Sequence, residues 1–370
     1  MDSTCADQDD DILEVPFMDS PSSLSRDLIE SPASATPSAE RLATTRNIPY
    51  RSDATTHSDH KQQLDVHVPS SDVGGVMRPV YFHVHGGGWK RGDRQIPFYG
   101  APSLAHFAAN ELGFVAVTPS YRLGKYPDFM FDVVAALVWT FENIHQFGGD
   151  PSKIILSGHS AGAHIVSLIL LCGVEQFDLP QYLLDNCICS VVLLSGVYSL
   201  EAPMYHKPLY PRNAIFRAAY VKKTFGTVAS VVDSASPSVA VLSCGASILR
   251  PESTKTSESS CWISRMSCKN TPVKNGPPFP LASGADALFA TREFPNSLFN
   301  VAFLILNASC DLGLEVDGAV FAELLRSVKT ETTKMNVTYE TVASTNHASI
   351  CWSTATHDRI AQFLKPFTLF

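Results

Sequence analysis

The 370-residue chain contains no apolar run near the roughly eighteen residues that a membrane-spanning helix needs. It also shows no basic segment followed by a short apolar one near its start. Both absences lead to the expectation of a cytoplasmic protein without a membrane span. The nine cysteines are odd in number and scattered, with no C-x-x-C pair and no Cys/His cluster at zinc spacing. That pattern suits a reducing compartment, and it gives no reason to expect a metal or other cofactor. There is no excess of positive charge either: 28 Lys and Arg stand against 36 Asp and Glu, a formal net charge of -8. A nucleic-acid partner is therefore not expected.

What is present is unevenly distributed. Residues 1–45 are rich in Ser, Asp, Pro and Thr and too poor in apolar residues to offset ordering entropy, so they read as a disordered tail. Residues 46–370 read as one domain in which strand-like and helix-like segments alternate, the pattern of a mostly parallel sheet covered by helices on both faces. Two segments break this alternation. The stretch 196–225 is aromatic and irregular, and fits either a small cap or ordinary packing; 243–280 loses all periodicity and reads as a surface insertion.

The organising stretch is Ile154 to His164, centred on Gly158-His159-Ser160-Ala161-Gly162. An apolar strand precedes it and an apolar helix follows, the setting in which a serine on a tight turn projects its hydroxyl above a sheet. Small neighbours are required, because such a turn strains the backbone. A serine hydroxyl also needs an imidazole to take its proton and a carboxylate to fix the imidazole tautomer. On a strand-to-helix elbow these follow in the order acid, then histidine. Asp311 lies just past the buried strand Val301 to Leu306, whereas Glu315 and Asp317 fall where the next helix begins. His347 follows the last strand, and His357 belongs to the terminal helix. The expected triad is Ser160, Asp311 and His347.

Upstream, His85-Gly86-Gly87-Gly88-Trp89 ends another strand. Glycine lets backbone N–H groups approach a developing oxyanion, so Gly87 and Gly88 are expected donors, with the Ala161 amide as a third. Trp89 either walls the acyl pocket or packs on the sheet, and the first is the expectation. His85, His159 and His164 are expected to hydrogen-bond loops and the elbow rather than ionise. Asn307 heads a glycosylation tripeptide but ends an apolar strand where no sugar fits.

Taken together, His85 to Trp89, the segment Phe147-Gly-Gly-Asp-Pro-Ser-Lys-Ile154, the elbow through His164, Asp311 and His347 resemble the α/β-hydrolase superfamily. Within it they are most similar to kynurenine formamidases (arylformamidases) and prenylcysteine methylesterase-like carboxylesterases. The resemblance implies an α/β-hydrolase fold, a cofactor-free serine hydrolase and a small-molecule ester or formamide substrate, such as the N-formylkynurenine of tryptophan catabolism. Gly88 satisfies the open position of the formamidase pattern H-G-G-x-W, but other esterases carry glycine there too. The rival reading is a ligand-binding protein on the same scaffold without turnover. Oligomeric state is not legible.

Overall fold

The computed structural model describes residues 42–51, 60–70, 74–200, 217–245, 293–311, 313–328, 330 and 333–368. Eight strands form one sheet in the order β1-β2-β4-β3-β5-β6-β7-β8. They are β1 (Ala43–Pro49), β2 (Gln63–Val68), β3 (Arg78–Val84), β4 (Val115–Pro119), β5 (Gly149–His159), β6 (Ile188–Leu194), β7 (Ala302–Cys310) and β8 (Asn336–Asn346). β2 runs antiparallel to β1 and β4; every other pairing is parallel. A parallel pair needs a long crossover, and helices supply it. These are α1 (Ala101–Asn110), α2 (Asp128–Asn143), α3 (Ala161–Gln176), α4 (Gln181–Asn186), α5 (Lys222–Phe225), α6 (Ala229–Ser234), α7 (Pro237–Gly245), α8 (Leu314–Ser327) and α9 (Thr354–Leu364).

The two-residue period of a strand sorts side chains between the faces. Val80, Phe82, Val84, Ile154, Leu156, Val191, Leu193, Phe303 and Ile305 meet α2, α3 and α8 on one face. Tyr81, Ile155, Val192, Leu194, Leu304 and Leu306 meet α1 and α9 on the other. Central strands buried on both sides read as continuous apolar runs, which is how β3 and β6 appear in the chain.

Three segment boundaries can be compared with the sequence reading. β1 begins at Ala43, so the last residues of the 1–45 tail are strand, paired with β2; residues 1–41 lie outside the described residues. Short polar residues hide this edge strand, because its burial is slight and its signal comes from pairing. Of the 243–280 stretch, residues 243–245 complete α7 and the remainder lies outside the described residues. Of 196–225, the residues 201–216 lie outside them as well.

The loop that follows β3 is tied down by charge. Arg94, only 3% exposed, donates from Nε to Asp65 Oδ1 at 2.8 Å and from its η nitrogens to the His60 carbonyl, Ser120 Oγ and Gln63 Oε1. Removing one partner of a buried pair leaves the other charged and poorly solvated. Among the described residues, Asp65 would keep two neutral donors, the Asn47 amide and Gln95 Nε2. Arg94→Met is therefore expected to destabilise the fold by about 3 kcal/mol, read as a lower urea midpoint.

Candidate active site

The parallel register brings the C-terminal ends of β3, β5, β7 and β8 to one edge of the sheet, where loops can converge on a ligand. At the end of β5 the chain turns sharply into α3. Ser160 occupies the turn with φ 54° and ψ -117°, a strained conformation for a residue with a side chain. The turn is possible because its neighbours lack one. A Cβ on Gly158 would stand 2.5 Å from the Gly162 carbonyl, and one on Gly162 would stand 2.1 Å from the Val84 carbonyl oxygen.

The structure brings Ser160, Asp311 and His347 together. His347 Nδ1 donates to Asp311 Oδ1 at 2.7 Å, so its Nε2 is the free acceptor, and Ser160 Oγ lies 2.9 Å from it. Asp311 is 1% exposed. Burial by itself would raise its pKa, but the His347 hydrogen bond and charge, with Ser195 and Asn307, hold it below the usual carboxylate range. The turn bearing His347 is built locally: Asn346 Oδ1 accepts the amides of Ala348 and Ser349 at 3.0 and 2.9 Å.

Glu315 and Asp317 sit in the first turn of α8. Asp317 accepts the amides of Tyr198 and Ser199 at 2.6 and 3.2 Å and so fastens the segment after β6; burial pushes its carboxyl up to about 7 against those two donors. His357 lies in α9, stacked on Phe107.

The glycine loop folds tightly. Gly86 donates to the Tyr99 carbonyl, whereas the amides of Gly87, Gly88 and Ala161 donate to no backbone acceptor among the described residues. Gly87 has φ 115°, and a Cβ there would stand 2.2 Å from the Arg91 carbonyl oxygen. At Gly88, φ 59°, a Cβ would meet the Tyr220 ring at 2.4 Å. Tyr220 belongs to the segment read as a cap or as packing. It lies against the glycine loop, while Tyr198 and Phe225 of the same segment are core residues.

Trp89 corrects an expectation. It is fully buried, its indole N–H donates to His164 Nδ1 at 3.2 Å, and Phe225 meets it edge-on at 4.9 Å. The side chain packs in the core rather than forming an open pocket wall, because burying so large an apolar ring outweighs exposing it. His164 Nε2 in turn donates to the Ala235 carbonyl, which fixes the tautomer that accepts from Trp89. Burial pushes His85 and His164 down to about 4, each against the carbonyl it donates to. His85 stacks on Tyr121 with ring centroids 4.3 Å apart.

Two contributors escaped the sequence reading. Asn307 Nδ2 donates to Asp311 Oδ2 at 2.8 Å, and the Ala308 amide reaches the same oxygen at 3.2 Å. Ser195, with φ 47°, receives the Ala308 amide on its hydroxyl and lies beside Asp311. A polar Asn at the end of an apolar strand, four residues before the acid, was the available signal for the first. Nothing local marked the second.

Comparison with known proteins bears on the fold. The carboxylesterase family profile matches residues 36–185. Esterase B of Lactobacillus rhamnosis superposes with a TM-score of 0.59 at 18% identity, over 89% of this chain and 87% of that one. The fold is that of an α/β-hydrolase. Among curated proteins, the esterase LipQ of Mycobacterium tuberculosis is 28% identical over 59% of this chain and 56% of its own length. Bovine (Bos taurus) arylacetamide deacetylase is 31% identical over 41% of this chain and 39% of its own length. The chain thus spans about half, or less, of the curated relatives it matches. No helix among the described residues is long and apolar enough to cross a membrane.

Proposed function

We propose that this α/β-hydrolase is a serine carboxylic-ester hydrolase acting through Ser160. The observation that carries the reading is the continuous chain from Asp311 through His347 to Ser160, at 2.7 and 2.9 Å. Ser160 Oγ attacks the ester carbonyl while His347 Nε2 takes its proton, and Asp311 holds the imidazole in the accepting tautomer. The amides of Gly87, Gly88 and Ala161, uncommitted to backbone acceptors, receive the oxyanion. Collapse of the tetrahedral adduct expels the alcohol, protonated by His347; water activated by the same imidazole then frees the acid.

An aryl formamide is the second substrate class. One observation favours it: a relative is by name an arylacetamide deacetylase. The machinery is common to both, and the leaving group decides between them.

The test is turnover of a short p-nitrophenyl ester and of N-formylkynurenine by the protein and its Ser160→Ala variant. Ser160-dependent hydrolysis of the ester supports the leading reading, and formamide turnover at least equal to it supports the second. Absence both of turnover and of Ser160 labelling by a fluorophosphonate probe would move the assignment to a non-catalytic ligand-binding protein.

Aromatic residues border this edge of the sheet. Tyr99 lends its carbonyl to Gly86, Phe98 beside it is 40% exposed, and its ring lies 6.5 Å from that of Trp352, which is 43% exposed and follows the His347 turn. An apolar substituent of the substrate would shed water against this pair. Trp352→Ala is therefore expected to lower kcat/KM for a p-nitrophenyl octanoate about 10-fold, through KM, and to leave the acetate nearly unchanged. Equal effects on both esters would exclude the contact.

A further inference from the structure

His159, the residue before the nucleophile, touches three parts of the site at once. It ends β5 and is 3% exposed. Its Nε2 lies 2.7 Å from the main-chain carbonyl oxygen of His347, a residue 188 positions away in the chain. The two imidazoles stand 5.0 Å apart between centroids. On the opposite edge of the ring, Nδ1 lies 2.7 Å from where a Cβ on Gly86 would stand, so the ring also supports the first glycine of the oxyanion loop.

A nitrogen this close to a carbonyl oxygen must carry the proton, which assigns the Nε2–H tautomer. Nδ1 is then bare; it is buried and makes no hydrogen bond of good geometry among the described residues, with the Tyr99 backbone also close to the ring. Burial, together with the nearby His347 ring, pushes His159 down to about 3, so the donor is neutral across the working range. A neutral donor suits this place. An imidazolium forms on His347 when it takes the serine proton, and a second cation behind it would oppose that step.

We infer that His159 is a positioning residue for the general base: its hydrogen bond ties the main chain of the His347 turn to the elbow that carries Ser160. The Asp311 contact orients the His347 ring, and the Asn346 side chain shapes its turn. Neither bond reaches the nucleophile strand. The His159 bond does, and it sets the separation between base and nucleophile. The inference rests on the serine-hydrolase reading.

The test compares three substitutions in the full-length protein, using a p-nitrophenyl ester and the rate of fluorophosphonate labelling. His159→Gln places an amide N–H near the position of Nε2. His159→Asn ends near the position of Nδ1, short of the His347 carbonyl, and His159→Leu has no donor. The Gln variant is expected to keep kcat within about 5-fold of the parent, while Asn and Leu lower it about 10- to 100-fold with KM within about 3-fold. Labelling should fall in step with kcat, because it reports the serine–histidine pair without substrate binding. Thermal melting identifies folded variants, and the Asn variant carries the comparison where leucine is not tolerated.

Folded Asn and Leu variants within two-fold of the parent, or a Gln variant as slow as the folded variants lacking the donor, overturn the inference while leaving the hydrolase reading intact. A parent protein without Ser160-dependent turnover or labelling overturns the reading itself, and the inference with it.

Discussion

Ser160→Ala is expected to lower kcat for ester hydrolysis by about 10⁶-fold, and Asp311→Asn by about 10⁴-fold, with both proteins folded. Alanine removes the attacking oxygen and little else: Ser160 is 5% exposed and its hydroxyl pairs with His347 Nε2. The aspartate case is more instructive. Asp311 Oδ2 accepts from Asn307 Nδ2 and from the Ala308 amide, two donors that would hold the oxygen of a substituted amide on their side. The new NH₂ must then face His347 Nδ1. That reverses the bond: Nδ1 becomes the acceptor, the ring proton moves to Nε2, and the imidazole can no longer receive the proton of Ser160. Steady-state assays at known protein concentration measure both effects. A Ser160→Ala protein that retains more than about 1% of parental kcat would show that another group performs the attack, since loss of a nucleophile costs far more.

Gly162→Ala should damage the fold itself. The added methyl carbon would stand 2.1 Å from the Val84 carbonyl oxygen and 2.7 Å from that of His85. Both are backbone atoms at the end of β3, a strand hydrogen-bonded on each side, so neither can swing aside as a flexible side chain would. Relief requires the first turn of α3 to lift from the sheet. Overpacking of a rigid site costs about 1–3 kcal/mol in ordinary cores, and this contact belongs at or above the top of that range. The same shift carries Ala161 and Ser160 out of register with the glycine loop, so activity falls along with stability. Soluble yield and urea unfolding check the first claim, and fluorophosphonate labelling checks the second. A variant within about 1 kcal/mol of the parent would mean that the elbow is softer than its geometry indicates.

Much of this site is readable from the chain because its constraints are short in range. The elbow needs Gly158 and Gly162 within two positions of Ser160, after a strand and before a helix, and the chain supplies all of these consecutively. The candidates for acid and base follow from strand ends: Asp311 lies where β7 stops, whereas Glu315 and Asp317 already belong to α8. The fate of Trp89 was not decided locally. Its loop could have turned the indole outward, but His164 on α3 and Phe225 on α5 converge to bury it, and both come from far along the chain. β1 was missed for a related reason: an exposed edge strand has little apolar alternation, and its partner β2 defines it.

By itself, then, the sequence determined the order of β2 to β8 and of the longer helices, the strained serine turn and the residue types available to an acyl-transfer site, because these rest on side-chain periodicity and on backbone freedom within a few residues. The tertiary structure alone decided which groups meet. Asn307 meets Asp311 at the end of β7 itself, but Ser195 beside Asp311 and His159 at the carbonyl of His347 are products of the order β5-β6-β7-β8, which gathers these strand ends at one edge of the sheet whatever their distance along the chain. A hydrogen bond is directional and fails within an ångström, so such pairings exist only once the sheet has assembled and fixed both partners.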